Sequence, residues 1–588
     1  MKTFLLSFLG GLAALLVFFV LLPLVLILSF LPSGEPAPTR NAVLEIDLRQ
    51  SMPDQPATDS VSALFSQMSF VQLLLRLNAA VDDPEVKGVF IRAAEMDLGS
   101  SRAEELREAF LRLKAKNKFV IAHSQGFLAS GPAAYRAISA ADEIWLQPGT
   151  SFETPGITFE TLFLGGALEK LHVTADMEQF YEYKNAVDTY KGKAYSAPYA
   201  EAMTALAGSV WTHSIADIAT DRKMEPAAMR ALLEASPYQA EQALELKLID
   251  KLGWPEEAAE AAKARANKGE LVSIADYNAP RRGGKAVVAV VGGEGDIVTG
   301  GGGSSGGVLS IGTPVFASDR VAKELLDLVD DKSVDAVVFR VDSGGGSATA
   351  SDQIWRAVER LQESGKKVVI SMGSVAASGG YYVAAGADAI VSTRSTITGS
   401  IGVFGGKFAI ADGLRQFGIN PDEVHVGGDF ASAYSTEKFT NSQRVKLHES
   451  LDGVYTRFTT LVSEGRKLPI ERVKEIAKGR VWSGEAAKEI GLVDETGDLI
   501  DAIDKAKVLA GFKPEDRAEI RLKLYQASPL DLITSALTRT QMSSGERQVL
   551  EALAPVVGRK RAEAVLGQIR QLSGKSGARV WSPPVLEH

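Results

Sequence analysis

Ser378 sits in the run Ala376-Ala377-Ser378-Gly379-Gly380, and a second glycine-rich turn, Asp342-Ser343-Gly344-Gly345-Gly346-Ser347, lies upstream of it. A hydroxyl at a strand-to-helix turn can attack a carbonyl when backbone N–H groups are aimed at the oxyanion that forms, and glycines leave such groups unobstructed. The pair therefore reads as a nucleophile with its oxyanion hole. Singly, each run would be an ordinary βα turn, because Gly and Ser punctuate turns everywhere. What lifts them is a degenerate second copy earlier in the chain.

That copy appears when the chain is slid along itself. Val89-Phe90-Ile91-Arg92 falls on Val337-Val338-Phe339-Arg340, Leu113 on Leu361, and Ala129-Ser130-Gly131 on Ala377-Ser378-Gly379, all at one offset. Further on, Ala141-Asp142 falls on Ala387-Asp388 and Leu248-Ile249-Asp250 on Leu492-Val493-Asp494 at slightly smaller offsets, so short length changes separate two copies of one unit. Each copy alternates β-branched runs with helical stretches, which is the βαβ pattern of an α/β domain.

The copies differ where chemistry would sit. In the first, Glu95-Met96-Asp97-Leu98 replaces the glycine turn, so Ser130 is expected to be inert. In the second, Gly428-Asp429-Phe430-Ala431-Ser432 stands where the first has Tyr183-Lys184-Asn185-Ala186-Val187, so a lysine is missing. One copy supplies nucleophile and oxyanion turn, the other a candidate base.

These residues resemble a known family. Gly373 to Tyr382, followed by Thr398-Gly399-Ser400-Ile401-Gly402-Val403-Phe404-Gly405, is similar to the serine-peptidase core of the signal peptide peptidase A family in its long, duplicated form, and Tyr183 to Val187 matches that family's base motif. Arg480-Val481-Trp482-Ser483-Gly484, with Ala487 and Gly491 to Asp494, fits the closing segment shared with Clp-type peptidases. The resemblance runs from about residue 40 to 510. It implies a tandem pair of Clp/crotonase-like α/β domains and a Ser–Lys dyad, with Ser378 as nucleophile, Lys184 as general base and Ser400 as a supporting hydroxyl. It also implies an oxyanion hole from Gly379 N–H together with an N–H of Gly345 or Gly346. Gly344 departs from the proline that many relatives carry, which loosens the turn.

A free lysine titrates at about 10.4 and is useless as a base near neutrality unless it is desolvated or set beside positive charge. The flanks Phe180-Tyr181-Glu182-Tyr183 and Ala186-Val187 point to apolar packing as the means. Other chemistries fit less well. The six histidines form no HExxH pair, so no catalytic metal or other cofactor is expected. His123 or His425 could complete a triad with Ser378, but neither has a marked context. Gly300 to Gly307 lacks the Lys-Ser/Thr of a phosphate loop and reads as a flexible excursion.

With 588 residues the chain can hold more than one sizeable core. A net charge of −9 and no basic tract leave nucleic-acid binding without its electrostatic footprint. The absence of cysteine excludes disulfides and thiol catalysis. From Phe4 to Leu31 no charged residue occurs; about 28 residues at ~1.5 Å rise span more than the ~30 Å a hydrocarbon core needs. The run is longer than a cleaved signal peptide's apolar region, so residues 1–39 read as a retained single-pass anchor and proline-rich linker. Lys2 before it, with only Glu35 after it, places the body on the extracytoplasmic side of the inner membrane.

The expected organisation is residues 40–278 for the first copy, 279–510 for the second, and a helical extension over 511–588. By resemblance, the substrates are cleaved signal peptides and other hydrophobic segments, bound in apolar pockets, and the assembly is a homotetramer. Two other classes fit parts of the pattern: a crotonase-like acyl-thioester enzyme, and an inactive membrane scaffold. The first has no use for a Ser–Lys pair, and the second would be expected to have lost Ser378, Lys184 or the glycine turn.

Overall fold

The computed structural model describes residues 41–56, 68–95, 98–128, 131–280, 283–301, 315–523, 579–581 and 586–587. The expected anchor, Ser130, most of the glycine run at 300–307 and the expected tail helices lie outside these residues.

The first copy lays down β1 (Ala42–Asp47), α1 (Phe70–Val81), β2 (Val86–Arg92), α2 (Ser100–Ala115), β3 (Phe119–Ser124) and β4 (Glu143–Leu146). These strands are parallel, in the order β1-β2-β3-β4, with Leu271–Ser273 beside β1 and Lys251–Leu252 beside β4. Helix α1 starts at Ser69, whose hydroxyl accepts from Gln72 N–H while the Gln72 side chain accepts from Ser69 N–H, a reciprocal cap on two otherwise orphaned donors. Strand β5 (Thr174–Phe180) leaves this sheet, and α3 (Ala197–Arg222) follows.

The second copy repeats the plan with β6 (Ala286–Glu294), β7 (Ala336–Ser343), β8 (Gly345–Ser347), α4 (Ala348–Glu363), β9 (Lys367–Ala377) and α5 (Gly379–Ala384). It continues through β10 (Ile397–Gly399), β11 (Val403–Ala409), α6 (Asn441–Arg466), α7 (Leu499–Leu509) and β12 (Ala518–Leu522). Strands β12-β6-β7-β9 run parallel, and Ala389–Ser392 and Glu495–Thr496 complete the counterpart of the first sheet. The second sheet thus takes its edge strand from beyond residue 510, where a helical tail was expected. Past it, Arg579–Trp581 forms a further strand, β13.

Both faces of the second sheet are buried, which accounts for the near-continuous Val/Ala runs of β6 and β7. Val288, Val290, Ala336, Val338 and Val369 face a core shared with α1, α2 and α7, while Ala289, Val291, Val337, Phe339 and Ile370 face another with α4 and α6. The described residues from Asn41 onward therefore pack as one compact unit, not as two separate bodies. A smaller sheet crosses the copies: β5 of the first pairs antiparallel with β11 of the second, Val403 opposite Phe180, and this pairing delivers Lys184 to the other half.

Candidate active site

Ser378 follows β9 with φ 54° and ψ −114°, a conformation that costs a non-glycine residue on the order of 1–3 kcal/mol unless its surroundings fix it. They do. Its N–H donates to Gly399 O at 2.8 Å, and its own carbonyl accepts from Tyr382 N–H at 2.8 Å. The following glycines are required by close approach of the two turns. A Cβ on Gly379 would stand 2.7 Å from Ser351 Oγ and 3.1 Å from Gly346 N, and one on Gly380 would stand 2.5 Å from Ser343 O.

Lys184 caps a short 3₁₀ turn, Asn185–Val187, just past β5. Its Nζ lies 2.6 Å from Ser378 Oγ and 3.0 Å from both the carbonyl oxygen and the Oγ of Ser400. Ser400, with φ 50°, follows β10, and its N–H donates to Arg480 O at 2.7 Å. Lys184 and Ser378 have no exposed surface. Burial alone holds the amine well below its ordinary pKa.

The aromatic residues that precede the lysine are unevenly covered: Phe180 is buried. Tyr181 is 47% exposed, and Tyr183 is half-buried beneath the Arg480 guanidinium, 5.0 Å from its ring. The second copy packs against the lysine's backbone. A Cβ on Gly479 would sit 2.5 Å from Lys184 N and 2.6 Å from its Cα and Cβ, and the Tyr183 N–H donates to Lys478 O. Only a glycine, here at φ 82°, lets that backbone close over the lysine.

At the glycine turn, Ser343 Oγ donates to Gly295 O at 2.6 Å and accepts the Gly345 N–H at 3.1 Å. That occupies the Gly345 donor; Gly346 lies beside Gly379 within a strand paired on both sides. Strand β13 pairs antiparallel with this turn, Val580 opposite Gly346 and Trp581 opposite Gly345.

The remaining candidates lie elsewhere. His123 is in β3 with Nε2 3.1 Å from Gly253 O, and His425 is exposed. Lys407 reaches the Ser435 carbonyl and the face of Phe439. Among the described residues no His/Asp/Glu group could hold a metal. A cavity of about 300 Å³ that includes Tyr183 is walled by Glu182, Arg472, Glu475, Lys478 and Arg480 together with Ile476, Ala477, Trp482 and Ile490. A cavity of about 670 Å³ lies along β11 and α6, with Phe430, Tyr434, Leu447 and Leu451 in its wall.

A buried serine in contact with a buried lysine of lowered pKa, beside a glycine turn, has the parts of an amide hydrolase. Comparison with known proteins gives the class. The model of peptidase family S49 matches residues 112–268 and 360–513, once in each copy, and the chain belongs to that family of serine peptidases with a Ser–Lys dyad. It is 30% identical over 484 residues to the chloroplastic serine protease SPPA of Arabidopsis thaliana, covering 80% of this chain and 69% of that protein. It is 30% identical over 537 residues to Protease 4 of Salmonella typhi, covering 85% and 83%. Protease 4 of Haemophilus influenzae is 28% identical over 509 residues, with 82% and 80% covered. Among solved structures, ClpP1 from Listeria monocytogenes aligns over 36% of this chain and 92% of its own at 17% identity and a TM-score of 0.22.

Proposed function

We propose that this peptidase is a membrane-anchored endopeptidase of Clp/crotonase-like fold that degrades cleaved signal peptides and other hydrophobic segments, with Ser378 as nucleophile and Lys184 as general base. The 2.6 Å contact between two buried side chains from different copies carries the reading. The neutral Nζ takes the hydroxyl proton as Ser378 Oγ bonds to the substrate carbonyl carbon. The Gly379 N–H and an N–H of the Gly345-Gly346 turn hold the oxyanion, and the ammonium returns its proton to the leaving amine as the peptide C–N bond breaks. Water then repeats the cycle on the acyl-enzyme, restoring both side chains. Ser400 orients the amine through its hydroxyl and carbonyl, so that the lone pair faces Ser378.

The uncharged run from Phe4 to Leu31 supports anchoring in the inner membrane with the body on the extracytoplasmic side, and the family likeness supports a homotetramer. The antiparallel pairing of β13 with the glycine turn supports substrates bound as extended chains. A serine-reactive fluorophosphonate probe tests the assignment. It should label the wild type and the Ser130→Ala variant but not Ser378→Ala; labelling that survives in Ser378→Ala rejects it.

A further inference from the structure

Strand β9 changes partner partway along, and the change is what delivers the nucleophile. Val369 to Ser371 pair with Ala389 to Val391, whereas Val375 to Ala377 pair with β10, whose end carries Ser400. Between these stretches the ladder with β7 slips: Val341 faces Met372, but Ser343 faces Ala376. Gly373, Ser374 and Val375 therefore lie opposite the single residue Asp342, a bulge of the kind that re-aims a side chain at a site.

The bulge is held from several sides. Asp342 Oδ1 accepts the Val375 N–H at 3.0 Å, which would otherwise lose its ladder partner. The Gly373 carbonyl accepts from Thr396 Oγ1 at 2.8 Å and from Ser101 Oγ, contributed by the first copy, at 3.2 Å. Gly373 is needed there, because a Cβ would stand 2.8 Å from Asp342 Cβ and Cγ. Arg102, also from the first copy, approaches Asp342 Oδ2 at 3.7 Å. The counterpart of Asp342 in the first copy is Ala94, and there the β2–β3 ladder ends at Arg92 opposite His123.

We propose that Asp342 is a positioning residue: its carboxyl oxygen fixes the bulge at Gly373 to Val375, which turns the end of β9 so that Ser378 meets Lys184 and Ser400. The assignment rests on Ser378 being the nucleophile, and it locates in one side chain the alignment that the dyad needs. Because the role is to accept one N–H, it depends on the oxygen and not on the charge.

Kinetics per titrated active site, together with hydrogen exchange at the Val375 amide, test this. Asp342→Ala should lower kcat on the order of 10²-fold, the cost of a misplacement of about 1 Å, with KM little changed. Asp342→Asn keeps an acceptor oxygen and should retain most of the rate. Gly373→Ala should reproduce the loss, and the double variant Gly373→Ala with Asp342→Ala should lose less than the product of the two. Val375 exchange should quicken in Asp342→Ala and stay slow in Asp342→Asn. An unchanged kcat in Asp342→Ala, unchanged exchange at Val375, or an Asn variant as impaired as the Ala variant would each overturn the proposal. The exchange readout needs no turnover, so it stands apart from the nucleophile assignment, which fails instead if Ser378→Ala is still labelled.

Discussion

Ser400 and Thr154 occupy the same place in the two copies. Each follows a strand, Ile397–Gly399 or Ser151–Phe152, that pairs antiparallel with the segment Val481–Ser483 or Tyr238–Gln239. Ser400 turns both its oxygens to the Lys184 amine, whereas the buried Thr154 hydroxyl has no partner among the described residues. The lysine positions differ in the opposite sense. Lys184 precedes a 3₁₀ turn and is sealed inside; the matching 3₁₀ turn, Asp429–Ser432, is exposed, and Asp429 there accepts from Thr440 and Ser442 at the start of α6. The frame was kept in both copies, down to the left-handed lysines Lys223 and Lys467 that close α3 and α6, while the reactive groups were divided between them. On the proposed reading, duplication has left one working site assembled from two halves, and an unpartnered hydroxyl at Thr154 where the second would have been.

The largest effect should come from the lysine. Lys184→Ala is expected to lower turnover by about 10²–10⁴-fold, the usual contribution of a positioned base, with little change in KM. Lys184→Arg should not restore it, since a guanidinium stays protonated and cannot serve as a base. Steady-state kinetics on a peptide ester read both. Ser400→Ala comes next, with turnover reduced roughly tenfold, equivalent to about 1.4 kcal/mol of lost orientation. The matching change in the other copy, Thr154→Val, should leave turnover untouched and raise stability by about 1 kcal/mol, because it removes a buried hydroxyl that nothing satisfies. Denaturant midpoints measure that difference, and a loss of activity in Thr154→Val would mean the first copy still contributes chemistry at that point.

A further prediction concerns stability and pH. The folded-state pKa of Lys184 is depressed, so between that value and its unfolded value of about 10.4 the unfolded chain binds the extra proton and wild-type stability rises with pH. Lys184→Met, which has nothing to deprotonate, should melt above the wild type near neutrality, and its advantage should shrink as pH approaches 10. Melting temperature against pH for the two proteins checks the sign. An advantage that grows with pH would contradict burial as the cause.

Much of this site was legible in the residues. The duplication, the pairing of Ser378 with a glycine turn and the lysine confined to one copy all follow from types and spacing. The two sheets repeat the strand order that the internal match implies. What was not legible depends on contacts between copies. The flanks of Lys184 pointed to apolar packing, but the close approach of the backbone at Gly479, far away in sequence, was not legible. The engagement of the Gly345 N–H depends on a hydroxyl, Ser343 Oγ, whose direction is set by how β7 meets Gly295. Asp342 could have been noticed as an acid bordering the glycine turn where the first copy has Ala94, but its role emerges only from the slipped ladder. The strand β12 beyond residue 510 is an edge element, and its register is set by its neighbour β6 more than by its own sequence.

The central claim is that a lysine of one copy deprotonates a serine of the other. The most direct test is the rate of fluorophosphonate labelling at Ser378 as a function of pH, in the wild type and in Lys184→Ala. The wild-type rate should rise through an apparent pKa well below that of free lysine, and the rise should vanish in the variant while the small residual rate still maps to Ser378. A Lys184→Ala protein that labels at the wild-type rate with the same pH profile would contradict the account.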